Sequence, residues 1–154
     1  MASNEDEPRQ KVGIVGSIDF PASAVVEAYV SGLPASATVV SGGAKGVDSW
    51  AEVAARARGL GVEVFHADWE GLGRKAGPIR NGQIVGASDR IVAFWDGQSR
   101  GTLNTIVQAH RAGLPIEVYG PSGEVMPLET ALVAAEELGV ARGVKRAEKQ
   151  EGKG

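Results

Sequence analysis

Five short apolar runs alternate along the chain with segments whose apolar residues recur at helical spacing. The runs are Val12–Gly16, Thr38–Val40, Val62–Phe65, Arg90–Trp95 and Ile116–Tyr119. Near-continuous hydrophobicity of this kind marks strands buried on both faces. Between the first two runs, Pro21 opens a helix that carries Val25, Val26, Tyr29 and Val30 and closes at Gly32 and Pro34. A second helix is expected from Asp48, read as its N-cap region, to about Arg58, with Gly59 and Gly61 as its stop. Ala67–Gly77 reads as a long polar loop, and Pro78 then begins a helix through about Ala87. Another follows Thr102 as far as Ala112, and Leu128–Leu138 is the last, amphipathic one.

Strand and helix in strict alternation specify parallel strands joined by right-handed crossover helices. The fold class expected is therefore α/β, a Rossmann-like three-layer α/β/α domain with a mainly parallel sheet of about five strands. One domain is expected over residues 11–140, preceded by a flexible leader at 1–10 and followed by a charged tail at 141–154.

Composition narrows the chemistry. At 154 residues the chain suits a single domain. Cysteine is absent and there are 2 histidines, so thiolate chemistry and a multi-histidine metal site are excluded; no metal and no cofactor are expected. No apolar run approaches a membrane span, and Met1–Lys11 lacks the apolar core of a signal peptide, so the expected location is cytoplasmic, with no membrane partner. The net charge of −3 argues against non-specific duplex binding, which relies on a positive surface. The 22 glycines, about twice average usage, call for tight turns or close approach of backbone to a ligand.

In an open α/β sheet, ligands bind beyond the carboxyl ends of the strands. Three glycine-rich segments fall there: Gly16-Ser17, Ser41-Gly42-Gly43-Ala44-Lys45-Gly46, and Asp96 through Ser99, Arg100, Gly101 and Thr102. The second and third lead into helices, whose N-termini present unpaired N–H groups to an anion. Lys45 and Arg100 would supply counter-charge. A single such turn is as readily a plain turn. Two of them at equivalent places, each with a basic residue, point to phosphate. Neither is a Walker loop, and no GxGxxG follows the first strand, which removes the usual ATPases and dinucleotide oxidoreductases. Asp48 reads equally as helix cap or ligand contact; Asp68, Trp69 or Asp96 would contact ribose or base, and Trp69 reads equally as a cover for the core. Arg80, beside Asn81, sits where a helix dipole disfavours a cation, which asks for a functional reason.

The combination SGGAKGVDSWAEVAARARG, FHADWEGLGRKAGPIRNGQIV and SDRIVAFWDGQSRGTLNTIVQAHRAGLPIEVY resembles the SLOG superfamily, in particular its YspA/YpsA-like branch of phage and mobile elements. The resemblance covers about residues 11–120 and implies a Rossmann-like domain that binds nucleotides or nucleotide-derived ligands as a sensor or sequestering module. A homodimer or higher homo-oligomer is expected. Two relatives define the alternatives. In the lonely-guy-type nucleotide phosphoribohydrolases, P-G-G-x-G-T-x-x-E supplies a glutamate that acts with an arginine. Here Gly101-Thr102 matches, Arg80 is the candidate catalytic arginine, and the glutamate position falls on Thr105. The DNA-processing protein A family binds single-stranded DNA and shares an S-G-x-A-x-G-x-D motif, matched by Ser41–Asp48. The acidic balance makes nucleic acid the lesser expectation.

Overall fold

A computed structural model describes residues 9–143; the leader and tail expected at the termini fall almost wholly outside them. Strands β1 (Lys11–Gly16), β2 (Thr38–Ser41), β3 (Gly61–Val64), β4 (Arg90–Phe94), β5 (Ile116–Tyr119) and β6 (Val125–Met126) form one sheet in the order β3-β2-β1-β4-β5-β6. The first five pair in parallel, and β6 runs antiparallel to β5. The longest pairing aligns β1 with β4, from Val12 opposite Arg90 to Gly16 opposite Phe94. Chain order reverses between these two central strands, so the sheet has its topological switch point there.

Helices α1 (Ser23–Ser31) and α2 (Val47–Ala57) pack on one face, and α4 (Ala76–Ala87), α5 (Arg100–Arg111) and α6 (Leu128–Glu137) on the other; between β3 and α4 lie α3 (Trp69–Leu72) and a 3-10 turn at Gly73–Lys75. Alternation along β1 divides the core: Val12 and Ile14 meet Val26, Val30, Val47, Ala51 and Phe94, whereas Val15 meets Ile84, Leu103 and Ile106. Among the described residues no helix is long and apolar enough to cross a membrane.

Three details depart from the pattern read off the chain. Ala67–Gly77 is largely helical: Asp68 accepts a hydrogen bond from the Gly71 N–H at 2.9 Å and caps a single turn, α3. Pro78 is the third residue of α4, not its first, a place where its missing N–H still costs nothing. Helix α2 begins at Val47 with Gly46 as N-cap, φ +77°, which puts Asp48 inside the first turn and not at the cap. Beyond α6, Val140–Gly143 forms a further 3-10 turn.

Candidate functional site

Strands β1, β2 and β4 all end at one edge of the sheet, and the three glycine-rich segments meet there. Ser17, buried, donates its backbone N–H to the Phe94 carbonyl at 3.1 Å and accepts the Asp96 N–H on its hydroxyl at 3.1 Å. It thereby fastens the end of β1 to the loop after β4. In that loop Asp96 Oδ1 accepts the N–H groups of Gln98 and Ser99, both at 2.8 Å. Partial burial pushes the Asp96 carboxyl up, but these backbone donors and the Ser17 hydroxyl outweigh it and hold the group below its ordinary value. Ser99 is the N-cap of α5 and accepts from the Thr102 N–H at 3.3 Å. The Leu103 N–H goes to the Ser99 carbonyl. The amides of Arg100 and Gly101 remain at the helix N-terminus.

The turn after β2 is closed on itself. The Ser41 hydroxyl donates to Glu52 at 2.7 Å, and the Ala44 N–H donates to Asp48 Oδ2 at 3.2 Å. Arg80 reaches across from α4, its Nη1 donating to the Gly42 carbonyl and its Nε to Asn81 Oδ1 at 3.0 Å. A Cβ on Gly42 would stand 2.6 Å from Arg80 Nη1 and 2.9 Å from Asp48 Oδ2. Glycine here is the space in which the guanidinium and the carboxylate come together. Burial pushes the Asp48 carboxyl up to about 6; the Ala44 amide and the Arg80 charge act the other way, and the Glu52 charge adds to the rise.

Between these turns and α4–α5 opens a cavity of about 520 Å³. Of the residues singled out from the sequence, Gly16, Ala44, Asp48, Trp69, Arg80, Asn81, Ser99, Arg100, Gly101 and Thr102 line it. Ser17, Ser41, Gly42, Gly43, Lys45, Gly46, Asp68 and Asp96 do not line it. Most of these shape the turns behind the wall, and Lys45 is exposed. The counter-charge expected from Lys45 and Arg100 is also redistributed. Arg100 lines the mouth, yet its Nη2 donates to the Leu138 carbonyl at 2.6 Å at the end of α6, where a helix C-terminus favours a cation. Among the described lining residues this leaves Arg80, whose Nη1 lies with Asp48 Oδ2 beside the Gly42 Cβ position, as the other cation.

Trp69 is 59% exposed and lies across Gly77, whose Cβ position is 3.1 Å from the indole. With Ile18, Pro78, Ile84 and Val140 it forms the apolar part of the cavity. Asn104 and Thr105 complete the polar part; Thr105 is buried and donates its hydroxyl to the Gly101 carbonyl at 3.4 Å. Asn104 was not picked out from the sequence, although it lies three residues after Gly101 and therefore on the same face of α5. No group of residues that could hold a metal ion occurs among the described residues.

No family model matches the chain. It is 41% identical over 93 residues to the Gene 61 protein of Mycobacterium phage D29, covering 56% of this chain and 74% of that protein. Its structure is similar to the X-ray structure of DNA processing protein A (DprA) from Streptococcus pneumoniae, with a TM-score of 0.65 at 21% identity over 88% of this chain. The chain spans 57% of that protein's length, and at this identity the likeness is one of fold.

Proposed function

We propose that this chain, which belongs to one family with the Gene 61 protein of Mycobacterium phage D29, binds a nucleotide or nucleotide-derived ligand in the cavity at the β1–β4 switch point. The observation that carries this reading is the cavity's position and its two kinds of lining. The sheet places it where α/β folds bind ligands, beyond the carboxyl ends of the strands. Its lining includes donors, namely Arg80 and the first amides of α5, which suit a phosphate. It also includes Trp69 and Ile18, apolar side chains on which a base can lie. Few convergent polar groups on a largely apolar lining is the common form of a small-molecule site.

Binding is favoured over cleavage within this reading. At the position where the phosphoribohydrolases carry glutamate stands Thr105, and its hydroxyl is spent on the Gly101 carbonyl. Among the described residues Asp48 is the one carboxylate lining the cavity, and the Ala44 amide holds it against the turn. The chain then acts as a sensor or sequestering module of the SLOG kind, with its YspA/YpsA-like resemblance part of the same proposal. Self-association is part of it too, supported by the exposed apolar surface of Ile18, Trp69, Leu72 and Ile79. The test is to denature the purified protein and identify what it releases by mass spectrometry. A stoichiometric nucleotide is the expected result. Release of nothing, with no binding across a nucleotide panel by calorimetry, defeats the proposal.

A further inference from the structure

The donor or acceptor character of every amide between α4 and α5 is settled by groups that cannot change theirs. Arg80 Nε only donates, and it donates to Asn81 Oδ1 at 3.0 Å. The Asn81 nitrogen must then face the other way, and it donates to the Gly101 carbonyl at 3.4 Å and to Asn104 Oδ1 at 3.1 Å. From the far end, the Pro78 carbonyl only accepts, and it takes the Gln108 nitrogen at 3.0 Å. That same nitrogen donates to Asn104 Oδ1 at 2.7 Å. Asn104 is thus held from both sides through its oxygen alone. Its Nδ2, which enters none of these bonds, belongs to a side chain that lines the cavity.

We propose that Asn104 is a specificity-determining residue of the cavity: its carboxamide Nδ2 donates to an acceptor-only oxygen of the ligand, phosphoryl or base carbonyl, and disfavours a donor at that place. The proposal deepens the nucleotide reading and rests on it. Discrimination follows because a ligand N–H directed at a fixed amide nitrogen leaves both donors without an acceptor in a partly dry site.

The test uses the full chain, calorimetric titration and three probes: adenosine 5′-monophosphate, uridine 5′-monophosphate and ribose 5-phosphate. Asn104→Asp keeps an oxygen for Asn81 and Gln108, so the fold is retained, but turns the cavity donor into an acceptor. Asn104→Ala removes the donor without adding charge, and thermal melting checks both variants. The expected result is a loss of affinity of about tenfold or more in both variants. A loss for all three probes assigns the oxygen to the phosphate. A loss confined to the uridine nucleotide assigns it to a base carbonyl, which adenine lacks. If folded variants bind every probe as the wild type does, the role of Asn104 is overturned while the nucleotide reading stands. If the wild type binds none of the three and also releases no nucleotide on denaturation, the nucleotide reading fails and takes this one with it.

Discussion

Two glycines in the site illustrate different uses of a missing Cβ, and they lead to opposite expectations. Beyond its chain neighbours and the nearby backbone of its own helix, Gly101 has no atom within 4 Å of where a Cβ would be. Gly101→Val therefore folds like the wild type, while its side chain occupies the approach to the α5 amides; calorimetry is expected to show nucleotide binding abolished at an unchanged melting temperature. Gly43 has φ +70° and a Cβ position 2.6 Å from the His66 ring. Gly43→Val is expected to destabilise by about 1–3 kcal/mol in urea denaturation, because strain at positive φ adds to the clash. Asp48 carries a pH signature. Its carboxyl is raised from 3.8 to about 6 on folding, so the native state holds a proton more tightly than the unfolded chain. Its contribution is full below 3.8 and is lost as pH rises to about 6, by roughly 3 kcal/mol in total. Asp48→Asn should remove that part of the slope, and equal pH–stability curves for wild type and variant would contradict the burial argument.

At the scale of elements, the cap of α5 joins stability to site. The Ser99 hydroxyl accepts from both the Thr102 N–H and its hydroxyl, the latter at 3.1 Å. Ser99→Ala should cost about 0.5–2 kcal/mol in chemical denaturation and loosen the first turn, where the Arg100 and Gly101 amides are. A variant as stable as the wild type would show that Thr102 is satisfied in another way. The strands and long helices were legible because their signals are periodic: β5 appears where Ile116–Tyr119 places it, and α4 ends at Ala87 as expected. What escaped was short. Helix α3 is one turn of Trp-Glu-Gly-Leu, too brief for any apolar period, and only the Asp68 cap could have betrayed it. Strand β6 is two residues, held by pairing to β5 across the Gly120–Glu124 turn and by nothing in its own composition. The site was half visible for a related reason. Glycine turns can be located by composition, but whether an amide faces a ligand or its own Asp48 depends on a hydrogen bond between neighbours. Asn104 owes its place to contacts with Asn81 and Gln108 on two helices, which no local pattern contains.

For the molecule as a whole, the question is whether the proposed site takes one small nucleotide or the sheet edge tracks a strand, the alternative raised by the motif at Ser41–Asp48. A strand-tracking surface neutralises successive phosphates and stacks successive bases. This chain has a net charge of −3, and of its site cations Arg100 donates to the Leu138 carbonyl, which leaves Arg80 for a single phosphate. A ligand held by fixed donors in a confined site is screened little by salt. The direct measurement is titration of a fluorescent single-stranded oligonucleotide and of a nucleotide found bound to the protein, each at low and physiological salt. The account predicts nucleotide affinity that changes little with salt and oligonucleotide binding that is weak at physiological salt. Tight oligonucleotide binding, falling with a log–log slope of about −0.7 per phosphate contacted and not competed by nucleotide, would contradict it.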